Sequence, residues 1–128
     1  MTNERTSATS ILWDDLPQAV TIYLTAHRRR DAETALRVFA DDASITDEGR
    51  THTGRTAIAD WLGTAGGEYT YTTEIRHAEQ TGDADFVVLQ HLEGDFPGGT
   101  ADLFFRFTVA GGLITRLVIE PRGASSGP

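Results

Sequence analysis

The sequence predicts an α+β fold in which three helices come first and an antiparallel sheet follows. Two patterns carry that prediction. Early in the chain, apolar residues recur at helical spacing in three separate stretches. Later, four runs rich in Thr, Tyr, Phe, Val and Ile are split by glycine-containing loops. A length of 128 residues fits one domain, expected over residues 12–121 between polar tails at 1–11 and 122–128.

The first helix is predicted over residues 14–29, where Leu16, Val20, Tyr23, Leu24 and His27 form one buried stripe. Pro17 suits an early helical position, and Asp14 or Asp15 favours the N-terminus. A shorter helix follows from Asp31, with Ala35, Leu36 and Phe39 facing inward. Residues 43–47 read as extended and Glu48-Gly49 as a turn. A third helix begins near Thr53-Gly54, buries Ile58, Trp61 and Leu62, and stops at residues 63–67. Strands are predicted over 69–79, 86–92, 101–109 and 113–120, as a four-stranded meander. Gly82-Asp83, Pro97-Gly98-Gly99 and Gly111-Gly112 are its hairpin loops.

Period-two alternation assigns the faces. Phe86, Val88, Gln90 and Leu92 share one side, as do Ala101, Leu103, Phe105 and Phe107, and Leu113, Thr115, Leu117 and Ile119. These rows should face the helices. Together with Phe39 and Trp61 from the helices, they nominate Phe86, Val88, Gln90, Phe105, Leu117 and Ile119 as the wall of a largely apolar pocket. The opposite rows mix Phe104 and Val118 with Asp102, Arg106, Arg116 and Glu120. That flat face is expected to pair two copies of the chain as a homodimer.

Composition excludes several function classes. The net charge is −8, from 19 acids against 11 bases, all of them Arg, so nucleic acid is not an expected partner. Arg28-Arg29-Arg30 is the one basic cluster and reads as a solvated helix end. No apolar run approaches the ~18 residues of a membrane span. The N-terminus lacks the pattern of a signal peptide, so a cytoplasmic address is expected. There is no cysteine. His27, His52, His77 and His91 lack zinc-ligand spacing, the glycines form no phosphate cradle, and no serine sits in a nucleophile elbow. No metal or organic cofactor is expected.

The most specific feature is the stretch from Tyr23 through Asp31 to Phe39-Ala40-Asp41-Asp42-Ala43-Ser44-Ile45-Thr46-Asp47. It resembles ketosteroid isomerase and the SnoaL-like proteins, members of the NTF2-like superfamily. Gly54-Arg55, Ile58 and Trp61 resemble that family's third helix, and Gly111-Gly112-Leu113-Ile114 the turn into its last strand. The resemblance implies a cone of three helices on a curved sheet, a small hydrophobic ligand, and cofactor-free isomerase or cyclase chemistry. It places Tyr23 on the oxyanion donor and Asp47 on the general base. Ketosteroid isomerase is the type case of that chemistry: a carboxylate takes a proton next to a carbonyl whose oxygen is held by a donor. The second acid of that enzyme falls on Ala101, or on Thr100 after a one-residue shift, and its second tyrosine on Leu62. The full steroid-isomerase hole is therefore not carried over. The Arg-x-Asp element of the limonene-epoxide-hydrolase-like proteins falls on His91-Leu92-Glu93, which has His and Glu instead. The residues alone leave Tyr23 readable as a core tyrosine and Asp47 as a turn residue. An enzyme and a non-catalytic binding or dimerisation module both remain open at this point.

Overall fold

The computed structural model of the chain describes residues 9–65 and 70–122, with only the backbone at 64 and 65. In chain order these are β1 (Thr9–Ser10), a 3₁₀ turn (Trp13–Asp15), α1 (Gln18–Arg29), α2 (Ala32–Arg37), β2 (Phe39–Asp47), β3 (Arg50–Thr53) and α3 (Arg55–Ala65). The long strands β4 (Tyr71–Gln80), β5 (Asp85–Gly94), β6 (Thr100–Ala110) and β7 (Leu113–Pro121) follow. Three helices lie on one curved, mostly antiparallel sheet, as the sequence predicts.

That sheet has seven strands in the order β1-β4-β5-β6-β7-β2-β3. The predicted meander is β4 to β7. Strand β2 joins it parallel to β7, and β1 adds to the far edge of β4. Phe39 is therefore a strand residue and not part of the second helix. It continues the helical spacing of Ala35 and Leu36, but pairing with Ile114 and nearly complete burial place it at the start of β2. The expected N-terminal tail is also shorter. Thr9 and Ser10 pair with Gln80 and Glu79, and the Ile11 amide donates to Ala78 O at 3.0 Å. Arg122, expected in the C-terminal tail, donates its amide to Asp102 O at 2.8 Å. Residues 1–8 and 123–128 of those tails lie outside the described residues, as do positions 66 and 67 of the predicted helix stop.

Helix α1 begins at Gln18, not Asp14. A residue before proline is driven to extended backbone, and Leu16 has ψ 148°. The segment therefore breaks into a 3₁₀ turn and a helix, and Pro17 O takes the amides of Val20 and Thr21. Asp31 caps α2 by accepting the Thr34 amide at 3.1 Å. Arg55 Nη1 donates to Phe39 O at 3.0 Å and ties the start of α3 to the start of β2.

Alternation fails at one place on β7. Thr108 pairs with Arg116 but Val109 pairs with Ile114, so Thr115 is the extra residue of a bulge. The bulge turns Ile114 into the core, fully buried, and leaves Leu113 37% exposed. Leu113 and Thr115 thus leave the face on which alternation places them. Further shifts between Ile75 and His77 and between Phe39 and Ser44 bend the sheet around the helices. Phe39, Trp61, Phe86, Val88, Gln90, Phe105, Leu117 and Ile119 are all buried. No helix among the described residues is long and apolar enough to cross a membrane.

On the outer sheet face, His91 sits between two carboxylates. Its Nδ1 lies 2.6 Å from Asp102 Oδ1 and its Nε2 2.9 Å from Glu93 Oε2. The Asp102 bond, then the Glu93 bond, raises the His91 pKa above 6.5. A raised histidine value means the contact is fully stabilising below the unfolded pKa, and the benefit is lost as pH rises through the folded value. The stability difference between wild type and His91→Gln is therefore expected to be largest near pH ~5.5 and to shrink toward pH ~9. Urea unfolding midpoints at both pH values check this, and an equal difference at each would contradict it.

Candidate functional site

Asp47 is the last residue of β2, on the same face as the buried Ala43 and Ile45. The turn that follows has Glu48 at φ 55° and Gly49 at φ 77°, both left-handed, as a tight two-residue hairpin requires. Trp61, from α3, donates its indole N–H to Asp47 Oδ2 at 3.1 Å. The Asp47 pKa is raised, by burial above all. The Trp61 bond and His52 oppose that rise, and Glu48 adds to it. His52, predicted for the loop before α3, lies on β3 opposite Ile45.

Tyr23 is completely buried on α1. Its ring stacks on His27 at 5.6 Å and meets Phe39 and Phe107 edge-on, each at 5.7 Å. Its hydroxyl has no hydrogen-bond partner among the described residues. Burial pushes the Tyr23 pKa well above 10, and Tyr71 and Asp47 push it further. Gln90 is the other case: 2% exposed, with its Nε2 unpaired among the described residues. Native interiors seldom leave such groups unpaired, because each costs about 1–3 kcal/mol.

Strand register carries a row of residues across the sheet from Asp47. Asp47 pairs with Ile119, Ile119 with Phe105 and Phe105 with Val88. Gln90, two residues beyond Val88, pairs with Ile75 on the opening half of β4, where Tyr71 stands. Tyr71 is the residue that sequence reasoning misses. It lies in a Thr- and Tyr-rich run with no distinguishing spacing. Its hydroxyl is 3.3 Å from His27 Nε2. Burial raises the Tyr71 pKa above all; Arg30 opposes that rise and Asp47 adds to it. Gly94 sets the position of Tyr71: a Cβ there would clash with Thr70 O and lie 2.5 Å from Tyr71 Cβ. Arg30, one of the three arginines at the helix end, places its guanidinium 5.5 Å from the centre of the Tyr71 ring.

The positions that the resemblance matched to ketosteroid isomerase bring no second acid. Ala101 and Leu62 have no polar side chain, Thr100 is exposed, and Asp102 is held by His91. Among the described residues, no group of three or more His, Cys, Asp or Glu side chains is arranged to hold a metal ion.

The SnoaL-like domain family matches residues 20–117, from the first turn of α1 to the centre of β7. The chain belongs to the SnoaL-like family. This SnoaL-like domain is also similar to a Sinorhizobium meliloti protein proposed to be a polyketide cyclase. The two are 34% identical with a TM-score of 0.79, over 86% of this chain and 100% of that one. A Mycobacterium tuberculosis protein solved with estradiol-17β-hemisuccinate shares the fold at 20% identity and a TM-score of 0.66, over 79% of this chain and 88% of that one. A Catenulispora acidiphila protein of ketosteroid isomerase-like fold, bound to trimethylamine, does so at 20% identity and 0.71, over 81% and 85%. None of the curated proteins matches the chain in sequence.

Proposed function

We propose that this SnoaL-like protein binds a small hydrophobic carbonyl compound and moves a proton on the carbon beside the carbonyl. Asp47 takes the proton and Tyr23 donates a hydrogen bond to the carbonyl oxygen. The observation that carries this reading is the buried, unpaired Tyr23 hydroxyl, which lies within the electrostatic reach of a half-buried carboxylate of raised pKa. Proton abstraction puts negative charge on the ligand oxygen, where a donor in a dry site is worth about 2.7–4 kcal/mol. The proton held on Asp47 returns to the same or a neighbouring carbon, so no cofactor is required. Gln90 offers a further amide donor, and Phe39, Trp61, Phe86, Val88, Phe105, Leu117 and Ile119 supply apolar wall. Ring-shaped ligands are supported by the steroid ester on the Mycobacterium tuberculosis relative and the cyclase assignment of the Sinorhizobium meliloti one.

The direct test is hydrogen exchange into 2-tetralone, an enolisable bicyclic ketone, in D₂O. The protein is expected to speed deuterium incorporation beside the carbonyl over buffer alone. Binding without acceleration would instead support a non-catalytic small-molecule-binding module.

The outer sheet face supports a homodimer. Phe104, Val87, Leu89 and Val118 lie there among the Arg106–Glu120 ion pair and the His91 cluster. Sedimentation equilibrium is expected to give twice the chain mass for wild type and the single mass for Val118→Glu. A monomeric wild type would refute the pairing.

A further inference from the structure

We propose that Tyr71 and His27 form a second hydrogen-bonding centre of the site, in which Tyr71 donates to a ligand oxygen and His27 orients Tyr71 from behind. This rests on the ligand-binding reading above. It adds a residue that no motif announced and narrows the ligand to one whose oxygen becomes, or resembles, an enolate.

A file of rings runs from the core toward the start of β4. Phe107 meets Tyr23, Tyr23 stacks on His27, His27 lies 6.3 Å from Tyr71, and Tyr71 lies 6.3 Å from Phe96. Phe105 flanks His27 at 6.2 Å. Within this file, His27 Nε2 and the Tyr71 hydroxyl are the one polar contact among the described residues, at 3.3 Å. The close approach at Gly94 fixes where Tyr71 stands.

The His27 tautomer sets the direction of that contact. Burial, then Arg30, lowers the His27 pKa to about 4, so the imidazole is neutral at pH 7. A neutral imidazole offers one N–H and one lone pair. With the N–H on Nε2, His27 donates to the Tyr71 oxygen, and the phenol proton is left for a ligand. Such a chain polarises itself, so the outer O–H becomes a better donor. Burial raises the Tyr71 pKa, and the Arg30 charge opposes that rise. The phenol is joined to Tyr23 through His27, which stacks on the Tyr23 ring at 5.6 Å and lies 3.3 Å from the Tyr71 hydroxyl. Donors around these residues include neutral phenols, an indole and an amide, with the Arg30 guanidinium 5.5 Å from the centre of the Tyr71 ring. This set suits the oxygen of a ring ketone or a phenol.

The probe is 4-nitrophenolate, an aromatic oxyanion whose absorbance reports binding, with nitrobenzene as the shape control that lacks the oxygen. Tyr71→Phe keeps the ring and is expected to weaken 4-nitrophenolate by about tenfold or more, while nitrobenzene changes less than about twofold. His27→Phe keeps the stack and should cost several-fold in wild type but nothing further in a Tyr71→Phe background. Arg30→Gln, an exposed change that spares the core, should weaken 4-nitrophenolate alone. Unchanged phenolate affinity in Tyr71→Phe overturns the proposal. So does an equal loss for both probes, which would mark packing, or failure of wild type to bind 4-nitrophenolate. The base assignment fails separately: Asp47→Asn should tighten 4-nitrophenolate by removing a like charge, and no change there would count against Asp47 while leaving Tyr71 standing.

Discussion

Asp47→Asn is expected to slow deuterium exchange into 2-tetralone by about 10²–10⁴-fold while ketone affinity stays within a few-fold of wild type. Asparagine has nearly the same shape, and its side-chain oxygen can still accept the Trp61 indole N–H that Asp47 holds at 3.1 Å. It cannot take a proton from carbon. The pH profile of the wild type follows from the raised Asp47 pKa. The base must be ionised, so activity should fall as pH drops through a value above the ordinary 3.8. Stability runs the other way. A carboxylate whose folded pKa lies above its unfolded value opposes folding at neutral pH, and that opposition fades as pH falls through the raised value. Asp47→Asn removes it, so the slow variant should unfold at a higher urea concentration than wild type at pH ~7. Full exchange activity in the variant would end the base assignment.

Much of this architecture is legible from residue pattern, and the parts that are not share a cause. The helical stripe of Val20, Tyr23 and Leu24 and the alternation of Phe105 and Phe107 are local signals, and the buried faces follow them. Spacing from Ala35 puts Phe39 in a helix. What makes it a strand residue is Ile114, distant in sequence. Alternation puts Leu113 inward because a bulge is invisible to it. The site divides the same way. Tyr23 and Asp47 stand out through a family pattern. Tyr71 carries no pattern, and its partner His27 reads as one more residue of an apolar stripe. Their meeting depends on how far β4 curls toward α1, which Gly94 permits by having no side chain. A glycine inside a strand is the available signal, and its consequence lies on the strand across from it.

Tyr23→Phe should separate function from stability most sharply. The hydroxyl is buried without a partner among the described residues, and an unpaired polar group of this kind costs about 1–3 kcal/mol. Phenylalanine keeps the ring contacts to His27, Phe39 and Phe107 and discards the cost. The variant is expected to be more stable by about 1 kcal/mol or more, a rise of about 3–5 °C in Tm for a domain of this size. If the hydroxyl holds the ligand oxygen as charge builds there, the same change should slow exchange by about 10²–10³-fold. A tyrosine kept only for packing predicts the gain without the loss. A hydroxyl that is structurally bonded predicts a less stable variant. Thermal unfolding and exchange measured on one preparation distinguish all three outcomes. A stabilised, slowed Tyr23→Phe protein is what a site that sacrifices stability for a pre-positioned donor must give.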